Sequence, residues 1–416
     1  MTEWLTIAGL VTLGVAGFLR YGDVMYPPVL HCAVWALVLA LGSLFGGALD
    51  PVPTSVLILI ALSGLTFSAG AYAATYTLGR EQVWSPPAGA APHAGFTHLL
   101  TLVSAAGLPF FLLRVLALGA EGPTESTLVN ARLAMTGDVF SGLEATGSLG
   151  LVEYLVPLAT MAAVLELARA RRFDRWALVA VLVAGAYAVL FTGRTVAVQL
   201  LVAVMGLRLI RREIAPGRGA LFAIGAFVAV FAGVGFALGK LGIDGVIDLG
   251  DILLSYTVAS LRALGQVIAT DPIPTGGENV FRTVLAALAR FGAEVGAPSL
   301  VKEPAYVPIP TNVYTVFHPY LLDFGLIGTV VLPWLLGLFH GALYRGAVRR
   351  GGALAVVFAF MLYPLAMQVF QDQYVSLLSQ WVQLGALLFV AYWLPGAVEA
   401  ARRTRRYFQR DEERIA

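Results

Sequence analysis

Apolar runs long enough to cross a lipid bilayer recur along the whole chain, and that leaves few folds open to it. A helix rises about 1.5 Å per residue, so about 20 apolar residues span a hydrocarbon core of roughly 30 Å. About eleven stretches approach that length: 3–19, 27–47, 54–77, 97–119, 149–167, 176–192, 195–210, 220–239, 319–344, 353–370 and 377–396. The first, sixth and seventh are the short ones. In hydrocarbon every backbone polar group must be paired within the protein, and runs of this length satisfy that as helices. Composition agrees: 58% of residues are apolar and 12% charged, against about 25% charged in soluble domains. The expected fold is all-α, a polytopic membrane bundle occupying 1–416 as one domain.

The N-terminal stretch carries Glu3 where a signal peptide would be basic, and is expected to be a retained helix. Cys32 is the sole cysteine, which excludes an intrachain disulfide and a thiolate metal cage.

Basic residues mark orientation, because short cytoplasmic loops are rich in Arg and Lys. Four clusters stand out: Arg169, Arg171, Arg172 and Arg175; Arg208, Arg211, Arg212 and Arg218; Arg345, Arg349 and Arg350; and the tail 400–416 with Arg402, Arg403, Arg405 and Arg406. They alternate with poorly basic loops. This places the four clusters and the C-terminus inside, and the N-terminus outside.

Two long polar segments then fall outside. One is 120–148. The other, 240–318, mixes signs and carries two amphipathic patterns. Leu254, Val258, Leu261 and Ile268 recur at helical spacing, and Asn279–Phe291 presents Val280, Val284, Leu288 and Phe291. The Pro- and Gly-containing run from Asp271 to Gly277 separates them. Amphipathic helices beside a membrane lie in its interface, so a two-helix cap over the outer mouth of the bundle is expected.

Charges at a membrane edge are costly and usually face a cavity. Arg194 sits in the tight turn Phe191-Thr192-Gly193-Arg194-Thr195 and should open a helix. There the guanidinium and the free N–H groups together favour an oxyanion; a snorkelling Arg is the competing reading. Arg282 and Arg290, eight residues apart, lie within roughly 80° of each other on one helix. They can form a cationic face, or pair with Glu278 and Glu294. Arg114, near the outer end of its span, and Arg132, in the first outer loop, are further candidates.

The densest polar stretch runs from Pro310 to Gly328. Asn312, Tyr314 and Tyr320 suit sugar rings and hydroxyls, and His318 is a general-base candidate near neutral pH. Asp323 could orient His318 or replace it; a helix cap is the plainer role. Asp372 and Tyr374, in the last outer turn, could line the same cavity. His31, His93 and His340 look isolated and structural, and the bilayer midplane looks bland. The sequence carries no phosphate-binding Gly-rich loop followed by Lys, no metal-ligand spacing, no nucleophile elbow and no nucleic-acid signal.

Three features together resemble the Wzy-type oligosaccharide repeat-unit polymerases, relatives of the O-antigen ligases. They are Thr192-Gly193-Arg194-Thr195 opening a membrane helix, a large late outer loop, and Thr311-Asn312-Val313-Tyr314-Thr315 followed by His318-Pro319-Tyr320-Leu321-Leu322-Asp323-Phe324-Gly325-Leu326-Ile327-Gly328. The resemblance implies a GT-C-like glycosyltransferase without metal or cofactor, inverting at the transferred sugar. It implies that one undecaprenyl-pyrophosphate-linked oligosaccharide is transferred onto another lipid-linked repeat unit at the outer face of the cytoplasmic membrane. Its partners would be these lipid-linked glycans, membrane lipids and, as a candidate, a chain-length regulator protein. His318 is where the ligases resemble the chain, which keeps a ligase open beside the polymerase. A transporter or flippase of lipid-linked sugars is the alternative from another class; it calls for broken or polar helices at the midplane.

Overall fold

A computed structural model of the chain describes residues 1–46, 50–84, 89–137, 143–170, 174–215, 257–299, 302–307 and 310–393, with the side chains of Arg194 and Pro310 outside that description. Among the described residues the architecture is all-α apart from a two-residue antiparallel pairing, β1 (Ala305–Tyr306) with β2 (Pro310–Thr311). Among the described residues, six helices are long and apolar enough to cross a membrane by length and composition. They are α1 (Thr2–Tyr21), α2 (Pro27–Phe45), α3 (Thr54–Thr75), α5 (Ala94–Gly119), the run Gly150–Arg169 and α12 (Phe317–Arg350). The run Gly150–Arg169 opens as a 3₁₀ turn and continues as α7 (Leu155–Arg169). Four shorter apolar helices accompany them: α8 (Arg175–Leu190), α9 (Arg194–Ile210), α13 (Gly352–Ala366) and α14 (Leu378–Tyr392). The expected span 220–239 and the tail 400–416 lie outside the described residues.

Local chemistry sets the boundaries. Pro27 and Pro28 open α2, where their missing N–H groups cost nothing. Asp174 caps α8 by accepting from Ala177 N at 2.8 Å. Two further helices were not visible as apolar runs, α4 (Arg80–Trp84) and α6 (Thr127–Thr136).

The helices meet in two sets of ends. At one end, Asp23 after α1 takes Arg212, beyond α9, in two bonds of 3.0 and 2.7 Å. Asp23 also accepts from Tyr344 of α12 at 2.6 Å. Arg349 donates to Gln82 at this end, and Arg211 to the Leu167 carbonyl. The clusters around Arg169, Arg208 and Arg345 all gather here. At the other end, Glu3 accepts from Ser43 and from the Val52 N–H, and Arg262 donates to the Asp50 carbonyl.

Of the polar segment 240–318, residues 240–256 lie outside the described residues; the described part carries α10 (Ala259–Ala269) and α11 (Arg282–Arg290) near this end. The described parts of both amphipathic patterns form helices, with Leu254 outside the described residues, but the two helices differ in burial. Residues 259–265 of α10 are buried, so α10 is part of the bundle rather than a surface cap. α11 has no buried residue.

The main departure from expectation is α12. Its backbone leaves helical geometry at Gly325, with φ 61° and ψ −157°. A β-carbon on Gly328 would come within 2.7 Å of the Tyr320 carbonyl oxygen, although eight helical residues should separate them by about 12 Å. Tyr320 also shares a small cavity with Pro333 and Leu336. The helix therefore doubles back into a short arm, 317–324, and a long arm, 326–350. Phe317, at the inner tip of the short arm, stacks on the fully buried Trp35.

The long arm packs against α3 at backbone distance. A β-carbon on Gly337 would overlap the Phe67 carbonyl oxygen, and one on Gly341 would meet that of Ala71. Small residues one turn apart permit such approaches between membrane helices. Gly337→Ala should destabilise the fold by about 1–3 kcal/mol. Gly9→Ala, where the added methyl meets open space, should leave stability unchanged or slightly higher. Thermal unfolding of the two variants in detergent checks this; equal midpoints would contradict the close packing.

Candidate functional site

A polar cavity of about 40 Å³ opens at the Arg-poor end. It is lined by Asn279 and Arg282 from the start of α11, Ser299, Lys302, Asn312 and Tyr314 from the loop, His318 from the short arm, and Gln371, Asp372 and Ser376 from the turn after α13. Five residues singled out in the sequence, spread over 90 positions, thus share one pocket: Arg282, Asn312, Tyr314, His318 and Asp372.

His318 is 7% exposed, and its ring lies 4.5 Å from that of Tyr314. The Tyr314 hydroxyl donates to the Glu303 carbonyl at 3.0 Å, which fixes the tyrosine as a wall. Arg282 Nε donates to the Pro298 carbonyl at 2.5 Å, anchoring the guanidinium at the rim. Asp372 accepts from the backbone N–H groups of Tyr374, Val375 and Ser376 at 3.1–3.2 Å, and from the Tyr320 hydroxyl at 3.3 Å. It fixes the turn into α14. Burial pushes its carboxyl up, against the pull of those donors.

Asp323 occupies a different place from the one expected. It is 1% exposed and accepts from Thr275 Oγ1 (2.6 Å), Asn279 N (3.0 Å), Asn279 Nδ2 (2.9 Å) and Val280 N (2.6 Å). None of these bonds involves His318, and Asp323 does not line the pocket. Its carboxylate holds the turn that leads into α11. Through Asn279, whose Oδ1 accepts from Lys302 Nζ at 3.3 Å, it positions a pocket cation. Asp323 is a positioning residue.

The other candidates separate. The backbone of α9 begins at Arg194, as expected, but the Arg194 side chain lies outside the described part. Arg114 is exposed and donates twice, at 3.1 and 2.7 Å, to the Ser148 carbonyl, bracing α5 against the segment before α7. Arg132 lies on α6, outside the pocket. Arg290 is exposed at the far end of α11, so the two α11 arginines do not act on one cavity. Tyr320 and Tyr374 turn inward, to a second cavity of about 10 Å³ in the bundle.

That inner cavity revises two expectations. His31 pairs with Ser63 at 3.1 Å and stacks on Phe67. His340 pairs with the Tyr374 hydroxyl at 2.8 Å, and Gln368 donates to the His31 carbonyl at 3.3 Å. These histidines are not isolated, and the interior of the bundle is not bland.

Lys302 and Asn279 were not singled out in the sequence. Lys302 comes from a loop without periodicity, and its one signal was that only two lysines occur in the chain. Burial holds its ammonium below the usual lysine range, nearby Arg282 adds to this, and Asp323 opposes it. Two cations facing one small cavity suit an oxyanion.

The sign of the pH effect follows. A lysine whose pKa is lowered on folding costs stability while protonated, and stability is regained as pH rises through the lowered value toward 10.5. An anion that bridges Lys302 and Arg282 removes that cost only while Lys302 is charged. Pyrophosphate should therefore raise the unfolding temperature more at pH 7 than at pH 10. Lys302→Met should weaken its binding about tenfold, the loss of one charge-assisted bond. Equal shifts at both pH values would contradict the assignment.

Compared with known protein families, with curated proteins and with solved structures, the chain matches none. The fold and the pocket define an all-α protein with several helices fit to cross a membrane and a cationic, aromatic-walled cavity at one end.

Proposed function

We propose that the protein is a membrane glycosyltransferase that polymerises lipid-linked oligosaccharides, taking an undecaprenyl-pyrophosphate-linked chain onto a second lipid-linked repeat unit. The observation that carries this reading is the convergence of Arg282, Lys302, Asn312, Tyr314 and His318 on one pocket. In this reading the Arg-rich end faces the cytoplasm, and the pocket opens at the outer face of the cytoplasmic membrane. Eleven spans and a GT-C-like arrangement belong to the same proposal.

The chemistry divides among the residues. Arg282 and Lys302 face the diphosphate, whose charge grows as the bond from the sugar's anomeric carbon to the phosphate oxygen breaks. Fixed cations stabilise that charge because they need no reorganisation. His318 accepts the proton of the acceptor hydroxyl as its oxygen bonds to the anomeric carbon. Asn312 and Tyr314 line the sugar side. Attack opposite the departing diphosphate inverts the anomeric centre. A ligase would use the same donor half with a different acceptor lipid.

A transporter of lipid-linked sugars is the second reading. It is favoured by the fold-back at Gly325 and by the polar groups of the inner cavity, since broken helices with interior polar residues accompany alternating access. The pocket cations serve either reading; a general base at the pocket is required by the enzyme alone.

Purified protein supplied with lipid-linked repeat units should produce a ladder of longer glycans, and should do so in chelator. Arg282→Ala should reduce the rate by about 10²–10³, and His318→Ala should reduce it by about 10²–10⁴. Transfer only to a foreign lipid core would indicate a ligase. Movement of the lipid across the bilayer without new glycosidic bonds would overturn the enzyme reading.

A further inference from the structure

α11 carries two chemistries on one short helix. Taken at about 100° per residue, Phe281, Val284, Leu285, Leu288 and Phe291 fall within an arc of about 120°. Arg282 stands about 60° beyond the edge of that arc and Arg290 nearly opposite its centre. The structure leaves the apolar arc largely uncovered: Phe281 is 49% exposed, Leu288 45% and Phe291 89%. The N-terminal end of the helix is fastened, by Asp323 to Val280 and by Thr283 to the Ser376 carbonyl at 3.1 Å. The far end projects with its apolar side chains bare.

An apolar strip of this kind beside charged groups marks an interaction surface. Its setting specifies the partner. Arg282 turns into the pocket, beside Lys302, while its neighbour Phe281 turns out. α11 also packs on α14, whose Val382 and Phe389 are exposed on the apolar flank of the bundle. The start of α11 thus lies beside the cationic cavity and, through Thr283 and Ser376, beside the turn into α14, while its bare apolar side chains run on from there. The matching ligand is amphiphilic, with a phosphate-bearing head and a long hydrocarbon chain.

We infer that α11 is the seat of the lipid moiety. The diphosphate head enters between Arg282 and Lys302, and the first part of the chain lies along Phe281, Leu288 and Phe291 before joining the bilayer beside α14. The occupant is the pyrophosphate lipid itself, not a free diphosphate and not bulk phospholipid. The inference rests on the reading of the pocket as a lipid-pyrophosphate site, but it does not require that any glycan be transferred. A headgroup-level helix with an apolar face and flanking cations is a physically ordinary resident of the membrane interface, and here the same face would select which lipid reaches the pocket.

Full-length protein in nanodiscs, photolabelled with an isoprenoid pyrophosphate bearing a diazirine on its first isoprene units, tests this. Peptide mapping should place the label within 281–291. Unlabelled isoprenoid pyrophosphate should compete, and inorganic pyrophosphate, which fills the head site alone, should compete only at a concentration at least about tenfold higher. Phe291→Asp and Leu288→Asp should each weaken lipid binding by at least about tenfold, while Phe291→Trp should retain it. Because these side chains are exposed, the Asp variants should keep the parent unfolding temperature. Label elsewhere, equal competition by inorganic pyrophosphate, or equal labelling by a phospholipid with the same photogroup would overturn the inference. Labelling as expected without glycan transfer would uphold it and overturn the polymerase reading. Transfer with unchanged lipid KM in Phe291→Asp would do the reverse.

Discussion

The pocket depends on one buried carboxylate. Asp323 sits at the end of the short arm of α12, just before the fold-back at Gly325, and accepts hydrogen bonds from three residues of the turn before α11. Those bonds tie a loop with little apolar content of its own to the core of the bundle. They set where α11 starts, and so where Arg282 points; through Asn279 they also set where Lys302 rests. A carboxylate taken out of water is stable only when its oxygens are satisfied, and the backbone N–H groups of residues 279 and 280 do that. The same constraint fixes the turn and neutralises the cost of burying the charge.

The fold-back explains why a pocket exists at all. A straight α12 would carry His318 well away from the turn after α13. Doubled back at Gly325, the short arm lays His318 beside Asp372 at the pocket while Tyr320 reaches the inner cavity. Glycine supplies the reversal because a φ of 61° is open to it without strain, and the arm so formed stacks Phe317 on Trp35 while His318 and Tyr320 line the two cavities. The segment thereby lines both cavities, His318 the outer one and Tyr320 the inner one.

Much of the architecture could be read in the residues because a helix crossing hydrocarbon must be apolar for about 20 residues. α1, α2, α3 and α5 lie where those runs lie. The fold-back could not be read, since Leu321, Leu322, Phe324, Leu326 and Ile327 keep the stretch apolar on both sides of Gly325, with Asp323 its one charge. Asp323 next to a polar run looks the same in sequence whether it is a base or a clamp; only its four donors tell them apart. Arg114 looked like an anion ligand because a deep arginine needs a partner, and the partner is the carbonyl of Ser148. Lys302 escaped notice because loops carry no period against which a functional side chain stands out. His318, Asn312 and Tyr314 were legible because polar residues crowded at the start of a membrane helix have few reasons to be there.

The central claim is that Arg282 and Lys302 grip the diphosphate of a lipid donor above His318. A structure of the full chain in a lipid nanodisc with a non-hydrolysable isoprenoid pyrophosphate bound tests it most directly. The account predicts diphosphate density within hydrogen-bonding reach of both cations, with Asp323 still bonded to the turn beneath. Diphosphate held at the Arg-rich end, or in a place that neither Arg282 nor Lys302 can reach, would contradict it.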